Sequence, residues 1–182
     1  MIKLPKIPIP TSFERFDRVF DERWDALRKS KALDRIFYTA SEVGDFGMIW
    51  LAVAAAQAAL GPEAKTKAAV RMAAALAAES VLVNGVVKSF FNRERPGWEQ
   101  DRPLHLRRPR TSSFPSGHAS SAVTAFLLFT QPATRWAPVY AAMTATVALS
   151  RVHVKIHHVS DVAGGLVVGA LFGTVVRRLW PL

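Results

Sequence analysis

The sequence predicts an all-α integral membrane helical bundle of about five spanning helices, with an N-terminal amphipathic interfacial helix. Three observations predict it. Half of the 182 residues are hydrophobic and only 21% are charged, with a mean hydropathy of +0.14. Charge-free runs cover 46–62, 111–134, 136–150 and 162–176, and 72–87 is interrupted only by Glu79. Residues 93–116, rich in Arg, Pro and Ser, form the one long polar loop. A disordered chain is excluded, and a soluble all-α bundle is the competing fold because the runs are Ala-rich and short.

Residues 1–10 are Pro-rich and extended, with no apolar stretch long enough for a cleaved signal peptide. Thr11 and Glu14 have capping-box spacing. Phe13, Phe16, Phe20, Trp24 and Leu27 then recur every three or four residues among charged neighbours, which predicts an amphipathic helix over 11–29. A short helix around Leu33, Ile36 and Phe37 leads to Gly44. Five spans follow at about 45–61, 67–92, 117–131, 136–155 and 160–178. Trp136 and the Arg177-Arg178-Leu179-Trp180 end have the character of interfacial anchors. The expected division is 1–44 as interfacial segment and 45–182 as bundle. Glu79, inside the second span, is expected to face inward and to bond Ser80, Asn84 or a neighbouring helix.

Lys and Arg total 24 against 14 Asp and Glu, a net charge of +10, so the partners are anionic. There is no cysteine, which excludes thiolate catalysis and thiolate metal sites. An Arg cluster at 102–110 lacks interleaved aromatics, so nucleic acid is not an expected partner.

Three clusters carry chemistry. Lys88 and Arg95, seven apart and followed by Pro96, project two cations from one helical face towards a phosphate. Ser116 and Gly117, before His118, open the third span, where free backbone N–H groups attract an anion and His118 exchanges a proton. Arg151, His157 and Asp161 form the third cluster. Asp161 lies four residues from His157 and is able to hold one ring nitrogen while the other attacks. His153, His157 and Asp161 also admit drawing as metal ligands, although no further His or Glu clusters elsewhere. Counting spans places all three clusters at one end of the bundle.

Lys88-x6-Arg95-Pro96, Pro115-Ser116-Gly117-His118 and Ser150-Arg151-x5-His157-x3-Asp161 resemble the three-part signature of the type 2 phosphatidic acid phosphatase (PAP2) family. Eleven specified residues match at the family's spacing. The family also includes bacterial nonspecific acid phosphatases and vanadium haloperoxidases. The resemblance implies a phosphatase in which His157 forms a phosphohistidine, Asp161 orients it and His118 protonates the leaving oxygen. It implies that Lys88, Arg95, Ser116, Gly117 and Arg151 bind the phosphoryl oxygens, with no metal or cofactor. The implied substrate is a lipid phosphate in a bilayer. Phosphatidic acid, phosphatidylglycerophosphate and polyprenyl (pyro)phosphates all suit. The Ala- and Arg-rich composition is similar to an actinobacterial branch acting on decaprenylphosphoryl-phosphoribose in cell-wall synthesis. Membrane members commonly carry six spans, against five here. A soluble acid phosphatase, and a basic membrane scaffold with a degenerate site, remain the alternatives; oligomerisation stays open.

The nine Lys and Arg of residues 1–44 share the site's end of the bundle. Lys65, Lys67, Arg71, Arg135, Arg177 and Arg178 lie at the other. The positive-inside rule then predicts a bacterial inner-membrane protein with its site on the cytoplasmic face.

Overall fold

A computed structural model describes residues 6–97, 106, 111–130 and 134–182. Arg102, Arg107, Arg108 and Arg110, counted with the basic loop, and Lys3 lie outside the described residues. Among the described residues there are helices and connecting loops and no strand. The helices are α1 (Thr11–Trp24), α2 (Lys31–Val43), α3 (Met48–Leu60), α4 (Glu63–Ser80), α5 (Gly117–Phe129), α6 (Ala137–His153) and α7 (Val159–Leu179). After Ser80 the α4 rod continues as a π-helical stretch, Val81–Val86, and a 3-10 turn, Val87–Phe90.

The apolar helices stand where the charge-free runs predict them. By length and composition, fewer of the described helices qualify as spans than the expected five. Among the described residues, Glu63–Phe90 and Val159–Leu179 alone are long and apolar enough to cross a bilayer, and α2 with α3, bent by 64°, makes a third if it is one broken span. The 13 residues of α5 rise only about 20 Å against a hydrocarbon thickness of about 30 Å. The N-terminus of α1 also departs from the capping-box expectation. Pro10 is the N-cap and no side chain caps the helix, so Thr11 already lies in the first turn.

The core is built of α3, α4, α5 and α6, with Trp50 fully buried among Met72, Leu76, Ala122, Ala125, Leu128 and Val147. Val70, Val81, Val139, Val167 and Leu171 are exposed, as a lipid-facing periphery requires. The most intimate contact joins α5 and α7. It depends on Gly165, Gly169 and Gly173, one every four residues along one face of α7. A Cβ at Gly165 would lie 2.3 Å from the Ser116 carbonyl oxygen, and one at Gly169 would lie 2.2 Å from that of Ser120. Thr124 Oγ1 donates to the Gly169 carbonyl at 3.1 Å across this seam. The backbones therefore nearly touch, and the N-terminal ends of both helices come together.

At the far end Arg71 donates to the carbonyls of Trp180 and Leu128, at 2.9 and 3.3 Å, satisfying chain ends that lack helical partners. At the near end Arg28 does the same for Val152 and His153, at 2.7 and 2.9 Å, while also bonding Asp21 and Asp25.

Gly169→Ala should force the α5–α7 backbones apart at a cost of about 2 kcal/mol. Thermal unfolding in detergent should show Tm falling by roughly 4–8 °C. Gly85→Ala, where a Cβ meets nothing within 4 Å, should move Tm by no more than about 2 °C.

Candidate active site

The α4 rod does not carry Lys88 and Arg95 on one helical face, as their spacing suggested. The helix ends at Phe90, and Phe91 is extended, so Arg95 sits on a strand-like segment beyond it. That segment spends its backbone bonds elsewhere. The Arg93 N–H donates to Ser112 Oγ at 3.1 Å, and the Arg93 carbonyl accepts from the Ser113 N–H at 3.0 Å. Tertiary pairing with 111–114 thus replaces the helical ladder, and Pro96 comes too late to be the stop. The two cations still converge. Lys88 is buried, close enough to Arg95 and Arg151 to repel both, and its Nζ is 3.4 Å from Thr111 Oγ1.

Ser116 is the N-cap of α5, its hydroxyl accepting from the Ala119 N–H at 3.4 Å. Its own N–H was expected to face an anion, but it donates to the Asp161 carbonyl at 2.9 Å. Gly117 faces the Asn84 side chain of the π-helical stretch. His118 Nε2 lies 3.1 Å from both Asp45 Oδ1 and the Ser41 carbonyl. This approach depends on Gly44, where a Cβ would stand 2.9 Å from the imidazole Cδ2. Arg151 is buried and donates to the Ser41 hydroxyl.

After α6 the chain reverses. Lys155 adopts φ +50°, a left-handed conformation costly for a side chain, and the Ile156 and His157 N–H groups fold back onto the Arg151 carbonyl at 3.1 and 3.0 Å. His157 therefore precedes α7 rather than starting it, and its pairing with Asp161 comes from this turn and not from helical spacing. His157 Nδ1 is 3.6 Å from Asp161 Oδ2, just beyond a hydrogen bond. Its Nε2 is 3.1 Å from Arg95 Nη1. Arginine has donors only, so Nε2 is the lone-pair nitrogen and Nδ1 carries the proton, directed towards Asp161.

The Asp161 carboxylate is fully buried and gathers donors from three parts of the chain. Oδ1 accepts from Arg93. Oδ2 accepts from the Ser113 hydroxyl, and from the His158 N–H at 2.9 Å. Arg93 also reaches Asp17 at 2.5 Å. The metal-ligand drawing fails geometrically, because His153 is turned away to Trp24 and Asp34, at 3.2 and 2.9 Å. Glu79 is buried and faces Ser120 of α5, the neighbouring-helix partner among those expected, while Asn84 and Ser80 bond each other at 3.2 Å.

Sequence reasoning missed Asp17, Ser41, Asp45 and Ser113 altogether, and had Arg93 only among the loop cations. Asp17 alone left a legible signal: it interrupts the aromatic face between Phe13 and Phe20, where a solvent-facing carboxylate does not belong.

Burial holds the His157 imidazole well below its ordinary pKa, Arg95 and Arg151 reinforcing the effect and Asp161 opposing it. Burial likewise lowers the Arg95 guanidinium to about 10, where it remains charged at neutral pH. A neutral imidazole with its lone pair beside the Arg95 guanidinium is chemically equipped to attack an electrophilic centre. A cavity of about 670 Å³ opens beside His157, between α1 and the segment 92–96.

Residues 68–182 match a family model described as the PAP2 superfamily. Decaprenylphosphoryl-5-phosphoribose phosphatase of Mycobacterium tuberculosis (strain H37Rv) is 32% identical over 139 residues, covering 75% of this chain and 74% of that protein. The protein of the same name from Mycolicibacterium smegmatis is 36% identical over 125 residues, covering 69% and 67%. Among solved structures, a transmembrane PAP2-type phosphatidylglycerolphosphate phosphatase from Bacillus subtilis superposes with a TM-score of 0.63 at 21% identity, over 93% of this chain and 94% of that one. LpxE of Aquifex aeolicus gives 0.65 at 21%, over 82% and 87%. These structural likenesses concern the fold.

The depressed pKa of His157 has a direct readout. In nitrogen-15 NMR of histidine-labelled protein, its ring shifts should stay those of a neutral imidazole between about pH 7.5 and 6. Protonation in that interval would contradict the burial argument.

Proposed function

The chain belongs to the PAP2 superfamily, and from that premise we propose how its site works and on which substrate. It is a membrane lipid phosphatase, as the family match and the named relatives agree. The observation that carries the mechanism is the His157 tautomer, with Nε2 facing Arg95 and Nδ1 facing Asp161.

His157 is the nucleophile. Its Nε2 attacks phosphorus while the bond to the leaving oxygen breaks, and His118 gives that oxygen a proton. The imidazolium formed at His157 is stabilised by Asp161 behind it. A water then attacks the phosphohistidine, His118 takes back a proton, the N–P bond breaks and inorganic phosphate leaves. Lys88, Arg95 and Arg151, with the Ser116 hydroxyl and the Gly117 N–H, hold the phosphoryl oxygens and neutralise the charge of the transition state. These cations stand where other phosphatases use metal ions, so the reaction proceeds without one.

Residues 1–44 serve as the interfacial segment and 45–182 as the phosphatase bundle. Five spans, α3, Glu63–Phe90, α5, α6 and α7, cross the bacterial inner membrane, helped by interfacial anchoring at the short ones. The substrate we assign is a polyprenyl-linked phosphosugar of the decaprenylphosphoryl-5-phosphoribose kind, which the named relatives support.

Phosphate release from a panel of lipid phosphates tests this. The polyprenyl phosphosugar should exceed phosphatidic acid, phosphatidylglycerophosphate and polyprenyl pyrophosphate in kcat/KM. His157→Ala should lose turnover to background, and Asp161→Asn should lose about 10²- to 10⁴-fold with the fold retained. Turnover should survive EDTA and yield to vanadate. Residual activity in His157→Ala would sink the mechanism.

The nine N-terminal cations support a cytoplasmic site. The chain has no native cysteine, so Lys29→Cys reports cleanly. It should resist a membrane-impermeant thiol reagent in intact cells and react in inverted vesicles. The opposite pattern would reverse the orientation.

A further inference from the structure

α1 has an aromatic side and a charged side, and one of its carboxylates sits on the wrong side for solvent. Asp17 is 4% exposed. Its Oδ1 accepts from the Ser160 N–H at 2.8 Å, and its Oδ2 accepts from the Ser160 hydroxyl at 2.7 Å and from Arg93 Nη2 at 2.5 Å. The other arm of Arg93, Nη1, bonds Ser160 Oγ at 2.7 Å and Asp161 Oδ1. One buried guanidinium thus bridges a carboxylate of α1 and the carboxylate behind His157.

The helix that carries Asp17 is firmly docked. Phe20 packs against the cluster of Ala119, Ala148, Val152 and Val162 and stacks on Trp24 at 5.3 Å. Trp24 Nε1 donates to His153, and Arg28 closes the end of α6. Asp17 is consequently a fixed charge.

We propose that Asp17 is a positioning residue for catalysis: through Arg93 it aims the Asp161 carboxylate and keeps its charge available to His157. The reasoning is electrostatic. Arg93 paired with Asp161 alone would neutralise the one anion that stabilises the His157 imidazolium. Asp17 occupies half of the guanidinium, so the Asp17–Arg93–Asp161 group retains one net negative charge, next to the nucleophile. The bridge also sets orientation, because a two-armed guanidinium defines the plane of both carboxylates where a point charge does not. The inference rests on the assignment of His157 as nucleophile and Asp161 as its partner.

Asp17→Asn retains the size of the side chain and removes the charge. In the intact protein in detergent it should lower kcat by about 10- to 100-fold with KM within about twofold, because the phosphate-holding cations are untouched. Affinity for inorganic phosphate, held by those cations without a bond to His157, should stay at the wild-type level for the same reason. In an Arg93→Gln background the same substitution should have little further effect, since the route to Asp161 is already cut. Asp17→Glu should recover part of the loss. Arg93→Lys, which keeps the charge without the two-armed bridge, should also lower kcat, and it carries the test if Asp17→Asn does not fold. A wild-type kcat in Asp17→Asn, or an equal loss with Arg93 present and absent, overturns the proposal. So does a loss that appears only as raised KM and weaker binding of inorganic phosphate. If His157→Ala is inactive while Asp17→Asn is normal, the mechanism stands and this inference alone fails.

Discussion

Everything at the working end of this molecule depends on satisfying one buried anion. Asp161 has no access to water, so its oxygens need donors from the protein, and an unpaired carboxylate there would cost several kcal/mol. The donors come from the segment after α4, from the approach to α5 and from the turn before α7: Arg93, Ser113 and the His158 N–H. Each of those connections ties down a loop that also bears a residue of the proposed site. Fixing Arg93 and Ser113 fixes the extended segment that ends in Arg95. Fixing His158 fixes the neighbouring His157. The active geometry is therefore the by-product of solving a desolvation problem.

The bundle makes that solution reachable. The glycine face of α7 lets α5 approach until the backbones touch, so the Ser116 N–H reaches the Asp161 carbonyl at 2.9 Å. Bulkier residues at Gly165 and Gly169 would separate the second and third sequence clusters by the width of a side chain. In an apolar solvent, close backbone packing also replaces the hydrophobic drive that holds soluble helices together. The same contact that supports the fold sets the spacing of the site.

How much of this the sequence disclosed differs sharply by distance along the chain. The apolar runs located all five apolar helices, because hydropathy is local. The three clusters named the residues that meet, because their types and spacings are local too, and counting helices put them at one end. What failed was any step that carried helical geometry past its limits. Lys88 and Arg95 were read as one face of one helix, yet the segment after Phe90 finds better partners in Ser112 and Ser113. His157 and Asp161 were read as one helical turn, yet Lys155 reverses the chain between α6 and α7. Thr11 and Glu14 had the spacing of a cap that Pro10 replaces. Ser41 and Asp45 were not legible as site partners, and Asp17 was legible only as a misplaced carboxylate, because their contacts join residues more than seventy positions apart.

In the proposed mechanism, the arrangement of charge gives the reason for a histidine as the reactive group. At the Nε2 edge of His157 stands Arg95, with Lys88 and Arg151 grouped nearby. At the other edge stand Asp161 and, one guanidinium further back, Asp17. The ring lies at the boundary. When Nε2 bonds to phosphorus, positive charge develops on the imidazole beside the carboxylates, while negative charge grows on the phosphoryl oxygens beside the cations. Both developments run down the field that the folded protein already holds, so little reorganisation is needed at the moment of reaction. A solvated imidazole has no such gradient. The buried, neutral histidine has its lone pair ready, and the fixed charges around it favour its becoming charged only as the phosphoryl group arrives.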